Sequence, residues 1–244
     1  MFPKTANFLF NDSMQNPKFL WFTAVFFFVF TPLALGIDSV VLAQDFAFGR
    51  TITNVLAVFY FGMMFCLAHD TLRQLMLHMV WLSYLGELIF CEWLGMYHYR
   101  TPGIPLYVPF GHAIVYASGY VWAHRAWAIK NESLVRKIFT GLFLISFLAV
   151  GWWLNDIFTL VFAVFFFALL KRKRWQNLYY FIAVCVVFIE LVGTYFGCWT
   201  WSEKTFGYIP AANPPIGAVF FYAGGDVLLA KLVQKLNQNR ALNN

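Results

Sequence analysis

The chain alternates between long uncharged apolar runs and short connections that carry nearly all of its ionic side chains. A bilayer has a hydrocarbon core about 30 Å thick, so an α-helix needs roughly 20 apolar residues to cross it. Runs near that length predict helices over residues 19–36, 52–68, 75–96, 106–123, 138–154, 157–170, 178–199 and 215–232. The sixth is short, and Asn155 with Asp156 forms either a tight turn or a kink, which gives eight spans or seven.

Composition agrees with that pattern. With 61% hydrophobic, 21% aromatic and 11% charged residues among 244, too few polar side chains exist to cover a soluble globule. The expected class is an all-α polytopic membrane protein whose first partner is membrane lipid. Basic residues collect on the cytoplasmic side of such proteins. With eight spans, Lys4, Lys18, Arg73, the Arg125 to Lys137 cluster, the Lys171 to Arg174 run, Lys231, Lys235 and Arg240 fall on one side, fourteen of the seventeen basic residues. Only Arg50, Arg100 and Lys204 fall on the other. This predicts both ends in the cytoplasm of a bacterial inner (plasma) membrane protein. The net charge of +6 then belongs to faces beside anionic headgroups rather than to a nucleic-acid partner.

Residues 1–18 are polar up to the first run and lack a small-residue cleavage site, so they read as a cytoplasmic segment, not a signal peptide. Cys66, Cys91, Cys185 and Cys198 form no CxxC pair and receive neither disulfide nor metal.

One phrase occurs twice. Gly95-x-Tyr97-x-Tyr99 matches Gly197-x-Trp199-x-Trp201, and Ile104-Pro105-x-x-x-Pro109 matches Ile209-Pro210-x-x-x-Pro214. Glu87-Leu88 stands eight residues before Gly95, Glu190-Leu191 seven before Gly197, and Tyr116-Ala117-Ser118-Gly119 matches Tyr222-Ala223-Gly224-Gly225. Four spans per unit make the copies parallel, with repeats over 19–130 and 131–235 and a tail over 236–244. Both phrases fall on the non-cytoplasmic side, where Pro predicts a stiff extended lead into the next helix and the aromatics also suit a membrane-interface belt.

Carboxyl groups are harder to assign to architecture. Glu87 and Glu190 lie near mid-span, Glu92 further out, and Asp226 in the cytoplasmic half of the last span. An ionised carboxylate in hydrocarbon costs about 2.5–3.5 kcal/mol even on insertion scales, so such groups face the bundle interior, pair or stay neutral. Helical geometry turns Glu92 about 140° away from Glu87. Among the histidines at 69, 78, 98, 112 and 124, His98 between Tyr97 and Tyr99 is best placed for acid–base work, and no pair has the spacing of a membrane di-iron cluster. Phosphate-binding glycine loops, Asp-rich prenyl-diphosphate motifs and a Gly-x-Ser-x-Gly elbow are missing from the sequence. Asp226 and Lys231 are five apart, not the four of a retinal-binding pair.

The stretch "GELIFCEWLGMYHYRTPGIPLYVP", with its mid-span Glu, Gly, aromatic-x-aromatic pair and Ile-Pro-x-x-x-Pro, resembles integral-membrane carotenoid-biosynthesis proteins that include the carotenoid 1,2-hydratases of bacterioruberin-type pathways. That resemblance implies a long apolar isoprenoid substrate, a carboxylic acid that protonates an unactivated C=C bond, and no cofactor. Glu87 or Glu190 would be the acid, and Tyr97, Tyr99, Trp199 and Trp201 would stabilise the carbocation through their ring faces. Glu92 or His98 would take a proton from attacking water or a neighbouring carbon, and Asp226 would contact substrate. Two other readings remain open: a small proton-coupled transporter or lipid-handling protein using Glu87 and Glu190, and an assembly subunit without chemistry.

Overall fold

The computed structural model describes residues 17–243, so the cytoplasmic segment expected over 1–18 falls almost wholly outside it. Each of the eight apolar runs forms a helix. They are α1 (Pro17–Ile37), α2 (Gly49–Leu67), α3 (Asp70–Glu87), α4 (Tyr107–Ala123), α6 (Glu132–Trp153), α7 (Ile157–Lys171), α8 (Gln176–Tyr195) and α9 (Val219–Asn243). A short α5 (Ala126–Lys130) links α4 to α6. Among the described residues six helices are long and apolar enough to cross a membrane, α1, α2, α3, α6, α8 and α9 with their flanking turns, and they fit an integral membrane protein. Large apolar side chains such as Phe59, Trp81, Trp152 and Val164 remain exposed on the outer surface, where lipid would cover them.

Helix α4 is buried on nearly every side, as expected for the centre of a bundle. It packs against α1, α2, α3 and α8. Contact with α8 is at backbone level: a Cβ on Gly119 would sit 2.6 Å from Ile182 Cα, so only glycine permits this approach.

Asn155 and Asp156 form a tight turn between two separate helices. Asn155 takes φ 52°, and Asp156 caps α7 by accepting from Thr159 N at 2.8 Å and Thr159 Oγ1 at 2.6 Å. Burial pushes the Asp156 carboxyl up from its ordinary value, and the two Thr159 bonds act in the opposite direction. Thr159 Oγ1 in turn accepts from Gly217 N at 2.9 Å, tying this turn to the start of α9.

The two repeated phrases meet face to face. Strand β1 (Tyr97–Tyr99) pairs antiparallel with β2 (Trp199–Trp201), Tyr97 opposite Trp201 and Tyr99 opposite Trp199, with His98 opposite Thr200 between them. Exchanging the copies reproduces the same pairs, which is what a local two-fold axis passing between His98 and Thr200 requires. The flanking bonds obey the same exchange: Arg100 N donates to Cys198 O at 2.9 Å and Ser202 N to Met96 O at 2.9 Å.

The lead-in segments differ. Ile104-Pro105 runs directly into α4, as expected, but Ile209–Pro210 forms strand β4 and pairs with β3 (Lys204–Thr205). The second connection is longer and contains Gly207 at φ +81°, which allows a hairpin where the first copy has only a short turn.

Candidate functional site

Each ribbon strand alternates its side chains, so Tyr97 and Tyr99 turn inward together with Trp199 and Trp201, while His98 turns out. Below them lie the two mid-helix glutamates, Glu87 at 4% and Glu190 at 6% exposure. Glu87 Oε2 accepts from Tyr97 OH at 2.8 Å and Tyr99 OH at 2.6 Å, and Oε1 lies 3.1 Å from His112 Nε2. Glu190 Oε2 accepts from Trp199 Nε1 at 2.9 Å and Trp201 Nε1 at 3.0 Å, and Oε1 accepts from Tyr222 OH at 2.7 Å. Each glutamate is held by the aromatic pair of its own repeat and by one side chain of the following helix. His112 and Tyr222, the two third partners, stack with centroids 5.0 Å apart and planes 14° apart.

The unequal spacing of the repeats has a local structural cause. A π-helical turn over Leu88–Trp93 follows Glu87, whereas α8 continues as α-helix past Glu190. A π turn takes up one extra residue, so Glu87 eight residues before Gly95 reaches the same position as Glu190 seven before Gly197. Both glycines then take positive φ, +58° and +66°, to turn the chain into the ribbon. Gly193 makes room for the indole beside Glu190, because a Cβ there would lie 1.9 Å from Trp199 Cη2.

Two apolar lobes meet at the glutamates. The first is walled by Phe27, Phe30, Leu35, Ile114 and Ile189 and includes Glu190, Tyr99 and Trp199. The second is walled by Met79, Leu82, Phe90, Ile182 and Phe221 and includes Trp201 and Asp226. Glu87, Tyr97, His112, Val115 and Tyr222 face both.

The structure thus brings together Glu87, Glu190, Tyr97, Tyr99, Trp199, Trp201 and Asp226. It does not bring Glu92 or His98 to them: both are exposed, Glu92 on the π turn and His98 on the outer face of the ribbon. Sequence reasoning missed His112 and Tyr222, although Tyr222 lies inside the matched Tyr-Ala-x-Gly motif. It also missed Asp38, fully buried just past the end of α1. Asp38 pairs with Arg100 Nη2 at 2.5 Å and Arg50 Nε at 3.6 Å, and accepts from Tyr107 OH at 3.0 Å. Arg100 leads out of β1, so this pair anchors the ribbon to the end of α1.

All four cysteines are free thiols, and among the described residues no group of three or more His, Cys, Asp or Glu side chains is placed to hold a metal ion. No protein-family model, curated protein or solved structure matches the chain.

Proposed function

We propose that the protein is a membrane enzyme of carotenoid or related isoprenoid biosynthesis that protonates a C=C bond of a long apolar substrate and then adds water or rearranges the skeleton. The observation that carries this reading is the pair of buried glutamates, each held by aromatic O–H or N–H donors, where two apolar lobes meet. A chain threaded through both lobes carries its C=C bonds, the terminal ones included, past the carboxyls.

The partners divide the roles. Indole N–H groups only donate, so Glu190 Oε2 is fixed as an acceptor by Trp199 and Trp201. Every partner of Glu87 can either donate or accept, so a proton can rest on Glu87 and be replaced through Tyr97, Tyr99 or His112. Glu190 has one such partner, Tyr222 at Oε1, whereas both oxygens of Glu87 have them, so Glu87 is assigned as the acid: its O–H bond breaks, the alkene π pair forms the new C–H bond, and a tertiary carbocation remains. Tyr97, Tyr99, Trp199 and Trp201 stabilise that cation with their ring faces and with the Glu190 charge behind them. Water then forms the C–O bond and yields a proton to a carboxylate, or an adjacent C–H yields it in a cyclase or isomerase. Either sequence is redox-neutral.

This reading takes all eight long helices as spans, arranged as two parallel four-helix repeats with both ends cytoplasmic. The exchange symmetry of the ribbon and the fourteen-to-three division of basic residues support it. At about 1.5 Å per residue, the 15-residue α7 and 17-residue α4 extend roughly 23 and 26 Å and rely on their flanking turns to complete the crossing.

Pigment analysis of cells making lycopene, with and without the protein, tests the proposal. A product heavier by one water marks a hydratase, and an equal-mass product with a shortened chromophore marks a cyclase. Glu87→Gln should abolish either product while the protein stays in the membrane. An unchanged profile with wild-type protein present argues instead for another isoprenoid substrate, or for the transporter or assembly readings.

A further inference from the structure

The second lobe holds a polar pair that the proton transfer does not use. Asp226 is 4% exposed and lines this lobe, and its Oδ2 has no hydrogen-bond partner. Tyr116, reaching the same lobe from α4, is 1% exposed and its hydroxyl is likewise unpartnered. Buried polar atoms left unpaired are costly, and a carboxyl in an apolar bundle is among the costliest. Two such atoms in one cavity mark a place where a ligand supplies the missing bonds.

Position and chemistry narrow that ligand. Asp226 stands four residues after Tyr222 on the same face of α9, about 6 Å further along the helix and away from Glu190. Met79, Leu82, Ile182 and Phe221 make the rest of the wall apolar. A carboxylate or phosphate would find no Lys or Arg in the lining, and an ammonium would bring three donors to a site with too few acceptors. A neutral hydroxyl both donates and accepts, which matches one carboxyl oxygen and one phenol.

We infer that the second lobe binds the hydroxyl-bearing end of the substrate, with Asp226 accepting from that hydroxyl and Tyr116 donating to its oxygen. The favoured substrates are thus long isoprenoid alcohols. Pure hydrocarbons fill the same lobes but leave Asp226 and Tyr116 unmet. This inference rests on the apolar-substrate reading above. Ordered water is the other source of an O–H donor, and the comparison below separates the two.

The test is equilibrium binding of tritiated geranylgeraniol, and of the hydrocarbon carrying CH3 in place of its CH2OH, to the full chain in lipid nanodiscs, with empty nanodiscs as background. The alcohol should bind at least tenfold more tightly. Asp226→Leu should bring it to parity with the hydrocarbon, and Asp226→Asn, which keeps a hydrogen-bonding group of the same shape, should fall between. Equal affinities in wild type would overturn the inference, assign the O–H donor to water and leave the apolar-substrate reading standing. A preference that survives Asp226→Leu would place the hydroxyl elsewhere. Failure of both probes to bind wild type would overturn the apolar-substrate reading and this inference with it.

Discussion

Replacing Glu190 with one residue that keeps an acceptor oxygen and one that does not isolates its hydrogen-bonding contribution. In Glu190→Gln the amide oxygen can occupy the Oε2 position and keep both indole bonds, while the amide N–H₂ faces Tyr222 OH, which can accept. The loss should be below about 1 kcal/mol. In Glu190→Leu, Trp199 Nε1 and Trp201 Nε1 are buried without an acceptor, and Tyr222 OH loses its bond. Each stranded donor costs about 1–3 kcal/mol, so the total comes to ~3–6 kcal/mol, with the half-buried tyrosine contributing least. For a chain of this size that corresponds to a fall in Tm on the order of 10 °C. Thermal unfolding in detergent, followed by tryptophan fluorescence, reads both variants. If Glu190→Leu melted within 2–3 °C of Glu190→Gln, the indoles would have other acceptors and the site as described would be wrong.

Two further substitutions test the supports around the site. Gly193→Ala places a methyl where the Trp199 ring now lies, so it should displace that indole from Glu190, destabilise by about 1–3 kcal/mol and abolish turnover; unchanged melting and activity would show that the ribbon can shift freely. Arg100→Ala leaves buried Asp38 with Arg50 and Tyr107 alone and should cost about 3–5 kcal/mol, measurable as faster proteolysis of the ribbon, and Arg100→Lys should recover only part of it.

Apolar periodicity located the helices because each run must satisfy its own backbone polar groups in lipid. It misjudged their ends: α3 begins at Asp70 instead of Leu75, since polar residues continue the helix beyond the apolar stretch. The duplicated phrase was legible, and so was the one-residue difference between its copies. Its meaning was not, because a π turn leaves no clear mark in residue type. His112 and Asp38 were hidden for another reason. Their partners lie 25 and 62 positions away, at Glu87 and Arg100, and no local pattern encodes such pairings. Glu92 and His98 looked attractive by proximity in sequence, yet helix rotation and strand alternation send both outward.

Transfer of a proton from Glu87 to substrate carbon is the central claim, and solvent deuterium reports it most directly. Protein in lipid nanodiscs would be incubated with lycopene in heavy water, and the product examined by mass spectrometry and NMR for carbon-bound deuterium. The account predicts one new C–D bond per protonation event with wild-type protein and none with Glu87→Gln. A product lacking carbon-bound deuterium, or one labelled by the Glu87→Gln variant at the wild-type rate, would contradict it.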